Sequence, residues 1–134
     1  ILILIERELK IMKLLTNEIL RKLPKLYGQE AKGGEAIAQV KFFTPDAQWT
    51  WYITEFDGED IMFGLVEGFE KELGYVRLSE LKELRGPLGL PVERDRYFKP
   101  KKLSEIAPEL FKEAASESED TTGQVYPESQ TNAE

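Results

Sequence analysis

The sequence contains no cysteine and no histidine. Without cysteine there is no disulfide framework, and without thiolate or imidazole the common zinc sites are excluded. A Ser–His or Cys–His nucleophile is excluded within this chain too, because the base is missing. The remaining chemistry belongs to carboxylate, lysine, tyrosine and arginine, with a hard cation on oxygen ligands as the metal option. Long apolar runs are also absent: the opening ILILI stops at five residues, against the roughly 18 of a membrane span. That opening lacks the basic leader and small-residue cleavage site of a secretory signal. A cytoplasmic protein with no membrane contact and no cofactor is expected.

What is present suits a small folded body. The chain has 134 residues and is 41% hydrophobic, enough for one domain that buries roughly two-thirds of its unfolded surface. The net charge is −7, but it is unevenly spread. Residues 113–134 hold Glu113, Glu117, Glu119, Asp120, Glu128 and Glu134 and no Lys or Arg; without those six, 19 acidic residues face 18 basic ones. The body is therefore nearly neutral, unlike a nucleic-acid mimic or a phosphate-backbone binder. The expected organisation is an extension over 1–11, with Met12 as a natural start, a domain over 12–112, and a disordered acidic tail over 113–134.

Local signals predict α+β architecture. Thr16 can cap a helix that runs to Pro24, with Leu15 and Leu20 at staple spacing and Ile19, Leu20 and Leu23 on one face. Residues 36–44, 49–56, 61–66 and 74–78 read as strands, and the Asp57-Gly58 pair marks a hairpin turn. On the second strand Trp49, Trp51 and Ile53 share a face, taken as the one under the helices. Thr50, Tyr52, Thr54 and Phe56 share the other, which makes Tyr52 and Phe56 the candidates for an exposed aromatic patch. Ser79 can cap a helix over 80–85, and Ser104 another from Glu105 to about Ala115. The prediction is a four-stranded, mainly antiparallel sheet with short helices packed on one face.

The segment LRGPLGLPVERDRYFKPKKLSE, residues 84–105, carries the candidate site. Its Gly and Pro residues mark turns, and Leu88 and Leu90 can pin the loop onto the core. Glu93 to Arg96 alternate in charge, which suits an edge strand. From 94 to 102 there are five basic residues against Asp95. The candidate binding residues are Arg85, Arg94, Arg96, Lys99, Lys101 and Lys102, with Tyr97, forming an anion-binding patch for a protein or a nucleic acid. The competing reading is a closing segment whose arginines pair with the protein's own carboxylates, at about 0–1 kcal/mol per exposed pair.

The stretches MKLLTNEILRKLP, VKFFTPDAQWTWYITEFDGED and FGLVEGFEKELGYVRLSELKELRGPLGLPVERDRYFKPKKLSEI occur in this order. Together, over about residues 12–106, they resemble a bacterial family of domains of unknown function numbered 2958. The resemblance implies a small stand-alone protein, often carried on plasmids, phages and integrative elements. It implies no catalytic residues.

Three functional readings follow. The first is a non-enzymatic binding or accessory protein of a mobile genetic element, acting through the basic segment 85–102. The second is a carboxylate-based, metal-dependent phosphodiesterase or nuclease that uses some of Glu35, Lys41, Asp46, Glu55 and Asp57. Its spacing is poor: EFDGED departs from the calcium-loop pattern, and Asp46 follows Gln39-Val40-Lys41, whereas the nuclease signature puts the acid first. The third is a structural homo-oligomer recruited through a sheet edge.

Overall fold

The computed structural model describes residues 14–111. The expected extension over 1–11 and the acidic tail over 113–134 lie outside the described residues. Helix α1 spans Asn17–Lys22. Thr16 is its N-cap, and its hydroxyl accepts from the Ile19 amide at 3.1 Å, so one of the otherwise orphan first-turn donors is satisfied. A 3₁₀ segment, Glu30–Glu35, leads into β1 (Ile37–Ala38) and β2 (Val40–Phe43). There follow β3 (Thr50–Phe56), β4 (Ile61–Glu67), β5 (Lys71–Arg77), α2 (Leu78–Glu83), β6 (Glu93–Arg94), β7 (Lys101–Lys102) and α3 (Leu103–Ile106).

The fold is α+β. The main sheet has five strands in the order β5-β4-β3-β2-β6, and β1 pairs with β7 in a two-stranded ladder. Every pairing is antiparallel; from β2 to β5 the short links between consecutive strands require it. The fifth strand is the Glu93–Arg94 pair of the charged segment, and it takes the sheet edge beside β2. Its alternating charges discourage further pairing there.

Strand parity divides the core in two. Val40, Phe42, Trp51, Ile53 and Met62 are buried on one face with Leu78 and Leu81 of α2, and Ile19 of α1 and Leu23 at its C-cap pack against them. The opposite face buries Leu65 with Ala36, Ala38, Leu103 and Ala107. Helices therefore cover both faces rather than one. The C-terminal chain from Phe98 to Phe111 crosses to the second face because Leu65 and the two alanines offer apolar surface there. Lys71 holds this chain down through Glu109, at 2.8 Å.

A bulge in β3 breaks the expected alternation. The register shifts between Ile53 and Glu55, so Phe56 comes opposite Met62 and Glu55 opposite Phe63. An extra residue in one strand turns every later side chain to the other face. Phe56 is thus buried in the first core, not exposed beside Tyr52. Tyr52 is itself half covered, with its ring 5.8 Å from that of Phe98. Trp49 stacks on Trp51 and meets the exposed Phe69 edge-on. Gly64 lets β4 lie against β3, since a Cβ there would overlap the Tyr52 carbonyl.

The predicted serine caps are displaced. Helix α2 begins at Leu78, one residue before Ser79, whose amide and hydroxyl both donate to the Asp60 carboxylate at 2.8 Å. The Glu80 carboxylate accepts from the Arg77 amide at the true cap. Helix α3 likewise starts at Leu103, so Ser104 lies within it, and Ala107 interrupts the helix before residues 108–111 resume helical geometry.

Candidate functional site

Segment 85–102 divides into three parts with different jobs. Residues 86–91 form a tight loop tied to Asp46, whose Oδ2 accepts from the Leu88 amide at 2.7 Å and more weakly from Leu90 at 3.4 Å. Gly86 packs directly on that carboxylate, where any Cβ would collide with it. Gly89 takes the left-handed turn, with φ of 83°. Val92 then enters the first core. After β6 the chain turns: the Asp95 carboxylate accepts from the Tyr97 amide at 2.9 Å, and the Asp95 carbonyl accepts from the Phe98 amide. Finally, β7 crosses to β1.

This path separates the candidate residues. Arg85 donates to the carbonyls of Lys82 and Leu84, at 3.0 and 2.8 Å, and closes the C-terminal end of α2. Lys102 is bonded to Glu35 at 2.9 Å, which raises its pKa. Lys101 is exposed on β7, and Lys99 and Tyr97 are exposed on the turn. Arg94 and Arg96 come together at a groove of about 290 Å³ between α1 and the β6 edge. Thr16, Lys22 and Gln39 line it as well. The sequence reading did not include these three. The apolar stripe of α1 showed that the helix packs on the sheet, but only the non-local pairing of β2 with β6 brings it beside the arginines.

The two arginines differ in setting. Opposite Phe42 in the ladder, Arg94 points to the face beneath α1. Its Nη1 is buried and, among the described residues, has no hydrogen-bond partner. Loss of solvent, and then the neighbouring Arg96 charge, hold its pKa below the ordinary guanidinium value. Among the described residues, no carboxylate pairs with either arginine. Asp95 faces Lys41 at 3.5 Å, and Glu18 faces Lys22 at 3.5 Å. Among the described residues the groove thus holds two guanidiniums outside any ion pair, one with a buried donor left over.

The residues of the metal-enzyme reading are dispersed. Asp46 anchors the 86–91 loop, Lys41 pairs with Asp95, and Glu35 pairs with Lys102. Asp57 Oδ1 accepts from the amides of Glu59, Asp60 and Ile61 across the hairpin turn. Glu55, turned by the bulge, accepts from the Tyr27 and Gln29 amides at 2.7 and 2.9 Å. No group of three or more acidic residues gathers to hold a cation among the described residues. Among the same residues, no helix is long and apolar enough to cross a membrane.

A family model described as "Protein of unknown function (DUF2958)" matches residues 14–119, more than half of the chain. The match runs past Ile106, where the resemblance read from the sequence stops, and reaches the start of the acidic segment. No curated protein and no solved structure matches the chain.

Proposed function

The chain belongs to the DUF2958 family, and we propose that it is a non-enzymatic binding protein that takes an acidic group of a partner protein into the groove of Arg94 and Arg96. The observation that carries this reading is the buried, unpartnered Nη1 of Arg94 beside a second guanidinium. A buried donor without a partner costs about 1–3 kcal/mol, and two converging like charges add to that cost. A bound carboxylate relieves both, and the planar guanidinium fork suits it.

The form of the groove favours protein over nucleic acid. Nucleic-acid binding draws on a track of many phosphate contacts. Here only Lys22, Arg94 and Arg96 share one compact groove, whose lining also includes Glu18 and Asp95, and those carboxylates repel a polyanion. The accessory role on a mobile element rests on the family resemblance.

The test titrates the full chain with an acetylated peptide carrying a single glutamate and, separately, with a single-stranded oligonucleotide, following the Arg94 and Arg96 side-chain NMR signals. The peptide is expected to shift both signals, with a salt slope near that of one released ion. Arg94→Gln and Arg96→Gln are expected to abolish the shift while the fold persists. A steep salt slope with the oligonucleotide alone would move the reading to nucleic acid. Silence with both probes would remove it.

A further inference from the structure

A second recess of about 290 Å³ lies on the opposite face of the sheet, and its chemistry is the inverse of the first. Tyr27, Phe63 and Tyr75 line it, with Leu73 beside them. The rings of Phe63 and Tyr75 meet edge to face at 4.9 Å. The carboxylate of Glu55, a residue only 3% exposed, sits at the base, and Glu30 stands at the rim. Among the described residues, no basic side chain lines this recess and neither glutamate is ion-paired.

The aromatic wall has been assembled at some expense. Tyr27 has φ of 69°, a left-handed conformation that a bulky residue rarely adopts. Its amide is held there by the Glu55 carboxylate. The same contact presents the ring at the recess, where Tyr27 is 61% and Tyr75 56% exposed. The Tyr27 hydroxyl beside it, loss of solvent and then the charges of Glu30 and Glu55 raise the Tyr75 pKa. A non-glycine residue held in strained geometry by a buried charge, with large rings left in water, is a pattern found at ligand sites.

We propose that this recess binds an alkylammonium group, with the faces of Tyr27, Phe63 and Tyr75 receiving the cation and Glu55 and Glu30 supplying the balancing charge. Aromatic faces carry negative quadrupole and attract organic cations, most favourably where solvent is reduced. The alkyl neck lies against Leu73. A strongly hydrated metal ion is a poor occupant, because the wall offers rings in place of oxygen ligands. The volume suits one ammonium head and a short neck rather than a larger ligand.

The experiment follows the ring NMR signals of Tyr27, Phe63 and Tyr75 in the full chain. The probes are choline, its neutral isostere 3,3-dimethylbutan-1-ol, n-butylammonium, and acetyl-lysine methylamide. Choline is expected to bind with a dissociation constant on the order of 1 mM, and the isostere at least about 10-fold more weakly. n-Butylammonium and the lysine amide separate a free small amine from a lysine side chain as the source of the head. Tyr75→Leu is expected to weaken choline about 10-fold, and Glu30→Gln a few-fold. Tyr27→Asn removes a ring while keeping a residue that tolerates the left-handed backbone, so it serves as the second variant. Arg94→Gln in the other groove is expected to leave choline binding unchanged. Equal shifts from choline and the isostere, or no shift from any cation, overturn the proposal.

Discussion

The two grooves have the same volume, about 290 Å³ each, and opposite sign. One places Arg94 and Arg96 under α1 at the β6 edge; the other sets Glu55 and Glu30 among three aromatic rings on the far face. Both are set by β-strand geometry acting on one residue. Arg94 faces α1 because it pairs opposite Phe42. Glu55 faces the aromatic recess because a bulge adds one residue to β3. They differ in how the charge is satisfied. The carboxylate of Glu55 accepts two backbone donors and so holds the fold. Arg94 Nη1 has no partner among the described residues. A buried charge that organises backbone contributes to stability, whereas one left idle works against it.

Replacing Glu55 should have the largest effect. Glu55→Ala strands the Tyr27 and Gln29 amides and should destabilise the protein by about 3 kcal/mol, measured by urea unfolding, with loss of the aromatic recess but not of anion binding. Next, Arg94→Met should raise stability by up to about 1 kcal/mol, allowing for solvent screening, while ending binding of the acidic peptide. A drop in melting temperature for this variant would show that the guanidinium does support the fold and would erase the contrast with Glu55.

Two smaller effects should leave both grooves intact. Asp46→Ala releases the 86–91 loop and should cost about 1 kcal/mol, read as faster proteolysis within that loop. The acid limb depends on the hairpin turn. The amides of Glu59 and Asp60 hold the Asp57 carboxyl below its ordinary 3.8, and the Ser79 hydroxyl and amide do the same for Asp60. A depressed carboxyl contributes stability that is present above the unfolded value and lost as pH falls through the folded one. The urea midpoint should therefore decline as pH drops below about 4, and Asp60→Asn should flatten that decline. An unchanged acid limb in the variant would assign it to other carboxylates.

Much of the local structure was legible in the chain. Thr16 caps its helix, and β3 and β4 lie where aromatic and β-branched residues cluster, because these preferences act over a few neighbouring residues. Single-residue displacements escaped notice. Leu78 starts α2 ahead of Ser79 because Asp60, far back in sequence, engages that serine. The bulge at Thr54 leaves no mark in the composition of WTWYITEF, yet it exchanges the places of Glu55 and Phe56. Basic charge singles out segment 85–102 in the sequence, but composition cannot separate Arg85, committed to α2 carbonyls, from Arg94 and Arg96.

By itself the sequence determined the α+β class, the absence of thiol and imidazole chemistry, and the concentration of positive charge late in the body. The tertiary structure alone decided which charges remain available. Whether a side chain meets a partner depends on which strand lies next to it and on which face it emerges. Those choices come from pairings between residues far apart in the chain, where a shift of one position reverses the outcome.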